Sequence, residues 1–425
     1  MNTPNPGCEY PLPDEEIEGP DRVSRALFKE SVMTLIDTQG GTLKAITEDT
    51  NAAEQVLAIE ALVRGIQNSE GTLFEVGLRH GRPILIEKSH PLSRQIREAV
   101  GRSDQILVRH FPFHAFNPPV DLFLRHKGKL IDDLARQRMI TQGIDRSAYP
   151  VDGASNLNGC ELIDLVRLPS VLRSGPAPLN DDGVHVLCNG LNAFVTGIRE
   201  ECASAPFKLR LRRFQYGVSK NRKSLLAYVD HLFDRTARLL VIRLDLSYTS
   251  AVSPSQGGDQ AVDFQQARDD RNRFLRSMRS NPLFEGLVGY GWKLEYGLEK
   301  GFHFHCLFFF NGAERQQDVW LAEAIGEHWK DTVGGNGLYW NCNARKEDYR
   351  RLGIGLIDHW DYEKRLNLQQ PIDYLTKPDL HLKLVAPNSQ RTFGKGEIRT
   401  SEGGRKGRPR VLGREAAAMN TLTFR

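Results

Sequence analysis

The 425 residues read as an α+β chain: a C-terminal antiparallel sheet with helices on one face, preceded by a smaller mixed α/β region. Three observations lead there. Beyond residue 205, stretches of period-two alternation take turns with stretches of helical period. Two of the strands, GLVGYGWKLEY and FHFHCLFFF, are separated only by the turn GLEKG, so they pair antiparallel. Hydrophobic residues make up 40% of the chain, yet no apolar run is long enough to cross a bilayer. A sheet covered by helices on one face leaves its other face free to work.

Taken in order, residues 1–20 are acidic and Pro-rich, which predicts a disordered leader and not a targeting segment. Residues 21–145 mix helical patterns (EQVLAIEALVRGI, PLSRQIREAV, GKLIDDLARQRMI) with the strand-like pieces RPILIEK and QILVRHF, a small α/β domain whose role the sequence leaves open. Turn formers cluster in AYPVDGASNLNG and RSGPAPLNDDG, so 146–204 is taken as a connector. The domain at 205–390 opens with the basic lead-in FKLRLRRFQYGVSKNRKS and the helix LLAYVDHLFDRTA. There follow the strand RLLVIRLDLSY, the helix AVDFQQARDDRNRFLRSMRS, the hairpin, the helix DVWLAEAIGEHWKDTV, short strands at GLYWNCN and GIGLIDHW, and the helix QPIDYLTK. A basic tail occupies 391–425.

Charge is uneven. Up to residue 205 there are 21 Lys and Arg against 28 Asp and Glu, and beyond it 36 against 25, a division that favours a polyanionic partner for the second part. The six cysteines, Cys8, Cys160, Cys188, Cys202, Cys306 and Cys342, lie far apart with no CxxC pair, which predicts reduced thiols and a cytoplasmic location without membrane attachment.

The chemistry concentrates in the hairpin. Alternation sends Phe302, Phe304, Cys306, Phe308 and Phe310 to one face and His303, His305, Leu307 and Phe309 to the other. Two histidines two apart on a strand stand roughly 6 to 7 Å apart, close enough for their rings to converge on one divalent ion. With 297–301 as the loop, Glu295 falls opposite His303 and gives a third ligand; in a shorter loop it would point away, and Glu299 is the alternative. Two imidazoles and one carboxylate leave positions open for water and a substrate oxygen, as catalytic sites do. On VIRLDLSY, Arg243 and Asp245 share the polar face, and a cross-strand ion pair is the simplest role for them. In QQPIDYLTKPD, Tyr374 and Lys377 lie three apart on one helical face. A tyrosine becomes a competent nucleophile when a metal polarises its target phosphate and a cation stabilises the phenolate.

VIRLDLSY, then HFHCLFFF, then YLTK resemble, in that order, the three motifs of HUH endonucleases, and 205–400 is similar to the inovirus-type replication initiators of phages and integrated mobile elements. The resemblance implies a ferredoxin-like sheet with the site on its open face. It implies Mg²⁺ or Mn²⁺ held by His303, His305 and Glu295, Tyr374 as the nucleophile that becomes linked to a DNA 5′-phosphate, and Lys377 as its electrostatic partner. Pro378 stands where a two-tyrosine member carries its second tyrosine, so the chain resembles the single-tyrosine type. The implied activity is nicking and rejoining of single-stranded or hairpin origin DNA to start rolling-circle replication, with host helicase and polymerase as partners. A DNA-binding regulator that keeps the fold without cutting, and a metal-dependent hydrolase of a small phosphoester, are the competing readings. In the tail, RKGRPR resembles the minor-groove AT-hook, with a plain basic tail as the other reading. His80, His90, His110, His114 and His126 show no ligand spacing.

Overall fold

A computed structural model describes residues 22–38, 41–88, 91–141, 181–249, 261–349, 351–387 and 390–397. The predicted leader, the first part of the connector and the tail beyond residue 397, with RKGRPR, lie outside the described residues, whereas the start of the expected tail, Phe393–Lys395, is a strand of the main sheet.

The first portion of the chain runs α1 (Arg22–Ser31), the hairpin β1 (Thr34–Thr38) and β2 (Gly41–Ala45), α2 (Glu48–Gln67), the hairpin β3 (Phe74–Arg79) and β4 (Arg82–Glu87), α3 (Leu92–Gly101), α4 (Gln105–His110), β5 (His114–Phe116) and α5 (Pro118–Thr141). Then come α6 (Asp181–Ala203) and α7 (Ala205–Arg235). Three expectations change here. QILVRHF, expected to be strand-like, is the helix α4: Leu107 and His110, three apart, turn inward together, and His110 bonds to Asp49 of α2 at 2.7 Å. The second part of the expected connector is the 23-residue α6, whose Leu187, Leu191, Phe194 and Ile198 recur at helical spacing and enter the N-terminal core. The basic lead-in is no separate element but the first half of the 31-residue α7. Ser204 caps that helix by accepting from the Phe207 amide, Pro206 sits in its first turn, and Lys and Arg are good helix formers.

The second portion runs β6 (Arg238–Tyr248), α8 (Phe264–Ser277), β7 (Leu287–Gly297), β8 (Gly301–Asn311), α9 (Asp318–Thr332), β9 (Gly337–Asn341), β10 (Gly355–Asp358), α10 (Tyr362–Asn367), α11 (Gln369–Thr376), β11 (Leu382–Leu384) and β12 (Phe393–Lys395). Its six-stranded antiparallel sheet has β8 between β6 and β7, β12 beyond β7, and β9 and β10 sharing the far edge of β6. The order β6-α8-β7-β8-α9-β9 thus forms a βαββαβ unit whose spatial order is β9-β6-β8-β7.

Helices cover both faces of this sheet, which corrects the expectation of one. Phe304, Phe308 and Leu244 pack against Phe274 of α8 and Ile325 and Trp329 of α9. The opposite face, with Val241, Leu307 and Phe309, packs against Leu225 and Leu232 of α7 and Ile372 and Leu375 of α11. The stripe that α7 lays on the sheet is hidden in the sequence by the cations between its apolar positions.

The two portions belong to one compact unit that runs through Lys395. β11 pairs with β5, and Leu382 enters the N-terminal core. Cys188, Cys202, Cys306 and Cys342 are buried thiols. Among the described residues no helix is long and apolar enough to cross a membrane.

Candidate active site

The register of the β7–β8 hairpin decides what its polar residues can do. Tyr296 pairs with Phe302 and Glu295 with His303, as the turn length predicts, and Gly297 pairs with Gly301 to close the ladder. A carboxylate from the other portion of the chain holds this turn: Asp49 accepts the amides of Leu298, Glu299 and Lys300 at 3.0, 2.9 and 3.2 Å. A Cβ on Gly297 would stand 2.5 Å from Asp49 Oδ2, so only glycine permits the approach. Gly301 leaves the turn at φ +67°, a conformation that likewise favours glycine.

Within that frame the imidazoles turn their Nε2 atoms toward Glu295. His303 Nε2 lies 3.7 Å and His305 Nε2 3.4 Å from Glu295 Oε2. Ligands about 2.1 Å from a shared ion stand roughly 3.0 to 3.4 Å apart, so each imidazole is close to ligand spacing from the carboxylate. Their Nδ1 atoms are engaged elsewhere. His303 Nδ1 is 3.0 Å from the Gly301 carbonyl, which can only accept, so Nδ1 carries the proton and Nε2 the lone pair. His305 Nδ1 is 2.7 Å from Asp245 Oδ1, the carboxylate–histidine arrangement that orients metal-ligating imidazoles. His303 Nε2, His305 Nε2 and Glu295 Oε1 are buried with no hydrogen-bond partner among the described residues. Such orphans are costly unless something satisfies them, and the donor set suits a divalent cation. Burial pushes the His303 imidazole down to about 4, which keeps it neutral and able to ligate. For Glu295, burial works toward protonation, but the two imidazoles outweigh it and hold the carboxyl well below its usual range.

Tyr374 lies against this cluster. Its ring meets His305 edge-on, with centroids 4.7 Å apart, and the Arg243 guanidinium stands 3.7 Å over its face. Lys377 Nζ is 3.3 Å from Asp373, which also accepts from Arg222 Nε at 2.5 Å. Arg243 is thus the cation over the ring face of the tyrosine. Asp245 makes the expected cross-strand pair, with His305 directly opposite it on β8, while Arg243 Nη2 reaches Glu30 of α1 at 3.3 Å. Tyr374 is fully buried, and burial first, then Asp245, raises its hydroxyl well above the usual phenol range.

The face that the sequence leaves open is closed by α1. Leu27 packs in the cluster that contains Tyr374, and Phe28 stacks on His381 at 5.1 Å. Ser24 Oγ and Glu60 hold the two nitrogens of that histidine, and Lys300 Nζ donates to the Ser31 carbonyl. A small cavity between Phe28, Val32 and Glu295 admits His114, whose imidazole burial pushes down to about 3. Sequence reasoning missed His114 because it is remote in the chain. It missed Lys293, bonded to Asp379 at 2.6 Å, although the alternation in WKLEY places Lys293 on the face of Glu295.

Residues 208–396 match the family model of the YagK/YfjJ C-terminal domain, a span that holds the whole six-stranded sheet and Tyr374. No curated protein and no solved structure matches the chain.

Proposed function

We propose that the chain is a metal-dependent tyrosine strand transferase acting on single-stranded DNA, the nicking and rejoining enzyme that starts replication of a phage or mobile element. The observation that carries this reading is the convergence of three orphaned ligand atoms, from Glu295, His303 and His305, beside a tyrosine that touches one of the ligands. The βαββαβ order with spatial order β9-β6-β8-β7 supports a ferredoxin-like sheet as its scaffold.

In the reaction, Tyr374 Oη forms a bond to the scissile phosphorus as the bond from phosphorus to the 3′-oxygen breaks, leaving a 5′-phosphotyrosyl link. The phenol proton ends on the departing 3′-hydroxyl, and attack by a 3′-hydroxyl on the link reverses the step. A bound Mg²⁺ or Mn²⁺ would polarise the scissile phosphate. Arg243, over the ring face, favours the phenolate, and Asp245 fixes the tilt of His305. Both histidines and Tyr374 are at most 1% exposed, so a DNA strand reaches them only after α1 moves aside.

That closure favours a second reading, a DNA-binding regulator that keeps the fold but does not cut. Incubation with labelled single strands tiling the element's origin region and Mn²⁺, followed by a denaturing gel, separates the two. Strand transfer predicts a covalent adduct that Tyr374→Phe abolishes without unfolding the chain. An adduct that persists in Tyr374→Phe, or none from any strand, refutes it.

A further inference from the structure

Between Glu201 and Asp230 the chain has no Asp or Glu but seven Lys and Arg, all on α7. Helical spacing sorts them. Phe207, Val218, Leu225, Val229 and Leu232 are buried, while Lys208, Arg212, Arg213, Tyr216, Lys220 and Lys223 are exposed on the opposite side. Lys208, Arg212, Arg213 and Lys220 have no ion pair among the described residues, whereas Arg210 is held by Glu201 and Asp121. So many like charges on one rigid helix repel one another, a cost that a polyanion removes.

We propose that this outward face of α7 docks the phosphate backbone of double-stranded DNA. Lys208 to Lys223 spans roughly 22 Å of helix axis. At about 3.4 Å of axis per phosphate, that covers around six phosphates of one strand of a duplex. Tyr216 is the one exposed aromatic side chain among these cations, whereas single-strand grooves supply a succession of stacking platforms. The surface leads to the candidate active site: Arg222 of the same helix bonds to Asp373, next to Tyr374 in the chain. The Lys383 ammonium, 3.8 Å from where a Cβ on Gly217 would stand, extends the positive field on that side. The proposal deepens the strand-transfer reading and rests on it for the identity of the polymer, with α7 holding duplex beside the strand to be cut.

Fluorescence anisotropy of the full chain with a labelled 30-base-pair duplex, titrated across NaCl concentrations, tests it. The triple variant Arg212→Gln/Arg213→Gln/Lys220→Gln removes three contacts, so the slope of log K against log salt should fall by about 2.7. Affinity at low salt should drop by one to two orders of magnitude. Arg79→Gln/Arg82→Gln, on the exposed β3–β4 hairpin, should leave the slope unchanged. An unchanged slope in the triple variant, an equal fall in the control, or a loss confined to single-stranded oligonucleotide overturns the proposal. A wild-type chain that forms no adduct but shows the α7-dependent slope on duplex removes strand transfer and leaves the docking surface standing.

Discussion

The two faces of the β6–β7–β8 sheet are made by the same three strands and are buried to the same degree, yet they are built on opposite terms. On one face Leu244, Trp292, Phe304, Phe308 and Phe310 meet the apolar sides of α8 and α9. On the other, Leu307 and Phe309 continue the core, but one end of the strands carries Asp245, Lys293, Glu295, His303 and His305, at most 9% exposed. Replacing those polar groups with well-packed apolar ones would cost nothing and could stabilise the sheet. Their presence marks that end of the sheet as the candidate site, and the apolar face is the platform beneath it.

The largest expected effect breaks the platform. Phe308→Ala empties a site between Phe274 and Phe284 and should cost about 3–5 kcal/mol in denaturant unfolding. Metal uptake by the remaining folded protein should be unaltered. Next, Mn²⁺ at a hundred times its dissociation constant should stabilise the wild type by about 2.7 kcal/mol in thermal unfolding, with EDTA as the reference. His303→Ala should abolish that increment, and a wild type that Mn²⁺ does not stabilise would remove the metal site. Asp245→Asn keeps the shape but weakens the hold on His305, so calorimetry should find Mn²⁺ affinity lowered about 10- to 100-fold.

The hairpin register was legible because it is local. A five-residue turn and a period of two fix which residues face each other, and nothing distant can shift the pairing without turning every side chain over. What holds the turn was not legible, since Asp49 lies about 250 residues away and its carboxylate has no local signature. The closed second face escaped for another reason: the eight cations of α7 obscured an apolar stripe that only the finished sheet selects. Tyr374 was found by its place in QPIDYLTK, but the cation beside it, Arg243, comes from a strand and not from the same helix.

The smallest effect concerns His114, which faces Glu295 across the cavity. Its folded value of about 3 lies below the ordinary 6.5, so between those values the unfolded chain binds the proton and the folded chain does not. Stability from this group is full above about pH 6.5 and is lost as pH falls toward 3. In His114→Phe the dependence of the unfolding midpoint on pH should be shallower across that window, and an identical slope would show that His114 does not titrate there.

Glu30 gives the closed face a further meaning. The guanidinium it engages, Arg243, is the group nearest the tyrosine that an incoming phosphate would seek. On the strand-transfer reading, departure of α1 would be an exchange of anions at Arg243, one supplied by the chain and one by the ligand, so that the electrostatic cost of opening largely cancels. If opening costs about 3 kcal/mol, fewer than about one molecule in a hundred is receptive at any moment, and apparent affinity for a strand falls by the same factor. On the strand-transfer reading, each strand that enters would hold one molecule open, so occupancy by the ligand, and not time spent waiting, would set how much of the population is competent.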